Sequence, residues 1–205
     1  MTEATTGLRA VLAHPGIYEL WSRLVGGHRS RATLVREHVR PTPGARVLDV
    51  GCGPGDLVRY LGDVRYVGID ASEPYVERAQ RLFGRRAEFR VGDATRLDDD
   101  LRGFDLVLAF GLVHHLDDEQ ARAFWGQAAQ ALAPEGRVVA VDPALSPGQP
   151  KLARLLISAD RGGRVRPPAE YGYLAKQAFT NVDVTVRSDL LRVPYTHCII
   201  EACAG

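Results

Sequence analysis

Val47-Leu-Asp-Val-Gly-Cys-Gly-Pro-Gly55 is the stretch that decides the fold. A short apolar strand carrying one acid, Asp49, runs into three glycines at alternate positions. Glycine has no Cβ, so Gly51, Gly53 and Gly55 can take backbone angles closed to other residues and let a ligand lie against the main chain. The result is a cofactor-binding turn, and its spacing narrows the cofactor. A dinucleotide fingerprint needs its third glycine at position 56, where the following helix packs on the strand, and Asp56 stands there.

Working outward, Arg65-Tyr-Val-Gly-Ile-Asp70 reads as a second buried strand ending in a carboxylate that can accept two hydrogen bonds from a vicinal diol. Asp70 follows the first glycine by about twenty residues, the separation at which an acid meets a ribose. Ala87-Glu-Phe-Arg-Val-Gly-Asp93-Ala94 reads as a third strand with another carboxylate at its exit.

Asp49-x-Gly51-x-Gly53-x-Gly55, followed in order by Asp70 and Asp93, resembles motif I and the downstream acids of the class I S-adenosylmethionine-dependent methyltransferases. The resemblance implies an α/β fold: a doubly wound, Rossmann-like three-layer sandwich on a mostly parallel seven-stranded sheet whose last strand is antiparallel. It implies S-adenosylmethionine as cofactor, with the ribose on Asp70 beside Ala71 and the adenine amino group on Asp93 beside Ala94. Cys52 is a small residue inside the glycine turn and completes the cradle with Asp49.

With 205 residues, 45% of them hydrophobic, the chain has the size of one α/β domain with a two-sided core. Its 26 Lys and Arg against 25 Asp and Glu make no basic field, which disfavours a nucleic-acid partner. Cys52, Cys198 and Cys203 form neither a paired framework nor a C-x-x-C site, and no apolar signal core opens the chain, so the cytoplasm is expected. The longest nearly apolar run, Leu106 to Val113, is too short to span a bilayer, and no membrane role is expected.

A single domain over residues 1–205 is expected, with a helical lid over 1–40, a cofactor-binding core over 45–142, and an acceptor-side segment with closing strands over 143–205. Helical stripes over 8–25 and 29–39 flank Gly26-Gly27. Strands over 46–50, 65–69, 87–91, 104–109 and 136–141 then alternate with helices over 55–62, 73–84 and 117–132, which predicts a parallel sheet covered on both faces. Asp117 or Asp118 caps the last of these helices and Pro134-Glu-Gly136 ends it. Helices over 151–159 and 168–178 precede strands over 182–186 and 195–202.

Ligands of a doubly wound sheet bind at the carboxyl ends of its strands, at the switch point between the first strand and the fourth. Strand four ends in Phe110-Gly111-Leu-Val-His114-His115, so Phe110 and Gly111 are expected beside the methionine portion and the histidines near the transferable methyl. Methyl transfer is an in-line displacement that depends first on positioning, and a histidine serves as base where the acceptor must lose a proton. Adjacent residues face different ways, so only one of His114 and His115 can serve, and the pair makes no metal site; no metal is expected.

Tyr18, Trp21, Tyr171, Tyr173, Tyr195 and His197 are candidate walls for an acceptor and equally ordinary core residues. Lys151, Arg154, Arg161, Arg164 and Arg166 against Asp160 suit an anionic acceptor or a solvated face. Strand four lacks the Asn/Asp-Pro-Pro-Tyr/Phe turn of enzymes that methylate exocyclic base amines and lacks a cysteine for cytosine carbon methylation. The expectation is transfer to an O, N or C atom of a small molecule, a secondary metabolite or saccharide precursor, by a monomer or homodimer. RNA or protein methylation, supported by the basic 151–166 stretch alone, and cofactor binding without methyl transfer stand as alternatives.

Overall fold

β1 (Arg46–Val50) is the sheet's centre: Val47, Leu48 and Val50 have no exposed surface, which suits a strand covered on both sides. It pairs in parallel with β2 (Arg65–Asp70) on one flank and β4 (Phe104–Phe110) on the other. The computed structural model describes residues 26–158 and 163–203. The expected helix over 8–25, with Tyr18 and Trp21, and the Asp160-Arg161 pair lie outside the described residues.

β3 (Ala87–Val91) extends the sheet beyond β2, and β5 (Leu132–Pro143) extends it beyond β4. β7 (His197–Cys203) inserts between β5 and the edge strand β6 (Asn181–Arg187), antiparallel to both, to give the order β3-β2-β1-β4-β5-β7-β6. This is the expected mostly parallel seven-stranded sheet with its last strand reversed.

Alternation of side chains along each strand creates two cores. Leu48, Val107 and Ala109 face α3 (Asp118–Ala131) and α5 (Pro168–Ala175) through Phe124, Trp125 and Tyr171. Val47, Leu106 and Leu108 face α1 (Gly27–Leu34) and α2 (Glu73–Phe83) through Leu34, Val76 and Phe83. The amphipathic α4 (Lys151–Ser158) buries Ala153 and Ile157. No helix among the described residues is long and apolar enough to cross a membrane.

Several element boundaries differ from the sequence expectation. The helix expected over 55–62 is a four-residue 3-10 turn, Asp56–Arg59, because Gly55 (φ 77°) and Gly62 (φ 70°) hold left-handed backbone on either side of it. α1 opens at Gly27 and passes into a π turn, Val35–Val39. α5 stops at Ala175, and β7 begins at His197.

Of the two candidate caps for α3, Asp117 is the one used: its carboxylate accepts from the Gln120 amide at 2.9 Å while the Gln120 side chain accepts from the Asp117 amide. The chain then enters β5 at once. Leu132 pairs with Phe104 before the register shifts and Arg137 pairs with Leu106. A Cβ on Gly136 would lie 2.6 Å from the Phe104 carbonyl oxygen, so Pro134-Glu-Gly136 marks this bulge within β5, while α3 itself stops earlier, at Ala131.

Candidate cofactor and active site

Parallel strands put their exits on one edge, so the turns after β1, β2, β3, β4 and β5 converge there. Gly51, Gly53 and Gly55 all have positive φ, 73°, 53° and 77°. The three face different surroundings. A Cβ on Gly51 would stand 3.0 Å from Leu112 Cδ1, and one on Gly55 would stand 2.9 Å from the Phe89 ring, whereas one on Gly53 would meet nothing within 4 Å among the described residues. Among the described residues the middle glycine therefore opens onto free space, as a cradle for a ligand requires.

Asp70 borders that space. Its Oδ2 accepts from the Gly53 amide at 2.8 Å and its Oδ1 from the Ser72 amide at 2.8 Å, which locks the carboxylate between the glycine turn and the start of α2, next to the exposed Ala71. Each oxygen keeps a lone pair with which to accept a hydroxyl. At the β3 exit, Asp93 Oδ1 accepts from the Thr95 amide and hydroxyl, both at 2.8 Å, and these bonds hold its carboxyl below the usual range. Ala94, half-buried, packs against the α3-side core.

Asp49 sits deeper than the other acids. It is 1% exposed, accepts from the Tyr66 hydroxyl at 2.5 Å, and leaves Oδ1 without a hydrogen-bond partner among the described residues. Burial pushes its carboxyl up to about 7, with the Tyr66 bond pulling down and the Asp70 charge pushing up. Cys52 is buried alongside, and desolvation pushes its thiol far above the ordinary range, so it offers no thiolate nucleophile.

β4 contributes Phe110, half-buried, and Gly111, exposed with φ 73° and tied to β5 by its amide on Val141 O at 2.7 Å. The next residues form the 3-10 turn Val113–His115. It parts the two histidines. His114 is 4% exposed, its ring Cε1 3.7 Å from where a Gly111 Cβ would stand, and its Nδ1 is 2.7 Å from Asp142 Oδ1 at the end of β5. The same Asp142 oxygen accepts from the His114 amide at 3.1 Å, and Asp142 is itself 1% exposed. His115 lies on the surface with its ring centroid 4.1 Å from that of His114.

Sequence reasoning missed Asp142 and Leu112. Asp142 follows the strand expected over 136–141, beside a proline, and the sequence gives no sign that it faces a histidine 28 residues earlier. Leu112 was one more apolar residue in a turn. The candidate walls also divide. Tyr171 is buried with its hydroxyl donating to Pro143 O at 3.0 Å, Tyr173 is exposed, and the Tyr195 and His197 rings meet at a tilt, centroids 4.9 Å apart, where β7 begins. Burial holds His197 down to about 4, neutral at physiological pH. Of the basic stretch, Arg166 is buried and bonded internally, so it forms no part of an exposed anion site.

Comparison with known proteins agrees with this geometry. Residues 47–136 match a family model described as a methyltransferase domain. A phosphoethanolamine N-methyltransferase of Triticum aestivum is 33% identical over 156 residues, 72% of this chain and 30% of its own length. An O-methyltransferase of Penicillium expansum, cnsE, is 33% identical over 183 residues, 78% of this chain and 64% of its own length. The chain thus spans about a third of the plant relatives and under two thirds of the fungal one.

Among solved structures, the S-adenosylmethionine-dependent methyltransferase SibL superposes with a TM-score of 0.73 at 22% identity, covering 100% of this chain and 64% of its own. YcgJ of Bacillus subtilis superposes with a TM-score of 0.69 at 16% identity, covering 86% of this chain and 98% of its own. Both likenesses speak to the fold. The glycine cradle, the strand order and the match of residues 47–136 to a methyltransferase domain agree on the class I S-adenosylmethionine-dependent methyltransferase fold.

Proposed function

We propose that this chain transfers the methyl group of S-adenosylmethionine to an oxygen, nitrogen or carbon of a small-molecule acceptor, in the cytoplasm, as a monomer or homodimer. The observation that carries the reading is the convergence on one sheet edge of an open glycine cradle, a locked diol acceptor and a buried His–Asp pair. The cofactor supplies a methyl bound to a positively charged sulfur and therefore open to displacement.

The chain's own residues do the rest. The Gly51–Gly55 turn and Asp70 hold the nucleoside, Asp93 takes the base, and Phe110 and Gly111 border the methionine arm. Asp142 on Nδ1 fixes the tautomer of His114, so that Nε2 is the nitrogen able to take a proton from an acceptor hydroxyl or ammonium. Because Asp142 is buried and already bonded to Nδ1, the imidazolium formed in that step is stabilised without rearrangement.

Relatives named for phosphoethanolamine N-methylation and for O-methylation support a small acceptor. A cavity of about 300 Å³ near the start of β7, lined by Pro150, Ala153, Leu191, Arg192, Tyr195 and Thr196, offers apolar walls and one cation for an acceptor with an anionic end. Lys151, Arg154 and Arg164 add exposed positive charge on that side.

Asp70→Ala tests the cofactor assignment. Loss of hydrogen bonds to a charged acceptor, about 1.5–3 kcal/mol, should weaken S-adenosylhomocysteine binding on the order of 10- to 100-fold by calorimetry. Equal affinity in variant and wild type rejects the ribose contact, and no heat at all from the wild type rejects the whole reading.

A further inference from the structure

Arg166 lies on the stretch between α4 and α5, far in sequence from the β4 turn, yet its guanidinium is spent on that turn. Its side chain is 7% exposed. Nη1 donates to Val113 O at 3.0 Å, and Nη2 donates to Leu116 O at 2.7 Å and to Asp118 Oδ1 at 2.9 Å. Val113 and Leu116 bracket the two histidines. Two residues earlier, the Arg164 amide donates to His114 O at 3.3 Å.

The same stretch is tied to the strand that carries Asp142. The Leu145 amide donates to Arg166 O at 3.2 Å, and the Arg166 amide donates at 3.4 Å to the Tyr171 hydroxyl, which in turn donates to Pro143 O at 3.0 Å. Residues 164–166 therefore grip both backbones that meet at the His114–Asp142 contact. The length of that contact depends on how the two strand exits are held relative to each other, and this segment holds both.

We infer that Arg166 is a positioning residue for the His114–Asp142 pair: its forked guanidinium pins the Val113–Leu116 turn so that the imidazole stays aligned on the carboxylate. The fork is the essential property. Two carbonyls and one carboxylate are met by one planar group, a geometry that a lysine's single ammonium cannot reproduce. The kinetic consequence rests on the methyl-transfer reading; the geometric claim does not.

The test is proton NMR of the Nδ1–H resonance shared by His114 and Asp142, identified in the wild type by its loss in Asp142→Asn. Thermal unfolding and S-adenosylhomocysteine affinity are measured in parallel, since the cradle lies at other strand exits. Arg166→Ala should bind S-adenosylhomocysteine as the wild type does but lose or broaden the resonance, and added methylguanidinium should restore it. Arg166→Lys, which keeps the charge and guards against an unfolded alanine variant, should show a weakened resonance. With an acceptor in hand, kcat should fall about 10²-fold in either variant while KM for the cofactor holds.

Absence of the resonance in the wild type overturns the inference, because there is then no aligned pair to position. An unshifted resonance in Arg166→Lys overturns it too, as does failure of methylguanidinium to restore a folded Arg166→Ala. Failure of the wild type to bind S-adenosylhomocysteine would sink the methyltransferase reading instead and leave the NMR result interpretable.

Discussion

At the exits of β1 and β2 the candidate site is made largely of main chain: three glycines with positive φ and two amides that clamp Asp70, all within residues 51–72. At the exits of β4 and β5 it is made of side chains brought from far along the sequence. Asp142 reaches back 28 residues to His114, and Arg166 reaches back 53 residues to Val113. A backbone cradle gives a fixed ligand a fixed seat, whereas a side-chain assembly can be altered for a new acceptor without disturbing that seat.

The largest expected effect falls on the second region. His114→Ala should lower turnover about 10²- to 10⁴-fold, the range that general-base catalysis supplies, with S-adenosylhomocysteine affinity unchanged. His115→Ala, on the exposed ring, should do much less. A cofactor affinity that falls in step with turnover would show that the two regions are one unit. The reverse order of the two histidines in a steady-state assay would move the base to position 115.

This contrast also explains what could be read from the sequence. Gly51, Gly53, Gly55 and Asp70 were legible because local backbone geometry restricts which residues can stand there, and such restriction leaves a spaced motif. The parallel sheet was legible in near-continuous apolar strands alternating with helices, and its reversed last strand only through the family resemblance. Asp142 and Arg166 were not, since an Asp before a proline and an Arg in a basic run are common on surfaces, and only the folded chain shows them buried together. The 3-10 turn at Asp56–Arg59 misled for a local reason: an apolar Leu57-Val58 pair gives a helix-like pattern that Gly55 and Gly62 cut short.

A second test lies under the cradle, where Asp49 carries the one strongly displaced carboxylate of the cofactor region. Its folded value, about 7, stands above its ordinary 3.8, so between those limits the folded protein keeps a proton that the unfolded chain releases. Stability from this group is therefore greatest below pH 4, falls as pH rises through the interval, by at most about 1.4 kcal/mol per pH unit, and is flat above pH 7. Asp49→Asn, which cannot ionise, should unfold with a shallower pH dependence from pH 4.5 to 7. Parallel curves for variant and wild type would mean that Asp49 is ionised throughout and that the Tyr66 bond outweighs burial.

The smallest effect is also the finest probe of the cradle, because it compares two neighbouring glycines. Alanine at 53 or at 55 pays the same conformational cost of left-handed backbone, about 1–2 kcal/mol, but only at 55 does the new methyl strike core atoms, the Phe89 ring at 2.9 Å and Ala79 Cβ at 3.2 Å. Overpacking adds about 1–3 kcal/mol, so at about 2–4 °C per kcal/mol for a chain of this size Gly55→Ala should melt several degrees below Gly53→Ala. Ligand binding should rank them the other way. The methyl at 53 enters the vacant space, so Gly53→Ala should lose S-adenosylhomocysteine affinity beyond what its stability loss explains, while Gly55→Ala, whose methyl points into the core, should retain more of it. If calorimetry finds Gly53→Ala binding as tightly as wild type, the open side of that turn is not where the nucleoside lies, and the main-chain account of the cofactor region fails at its centre.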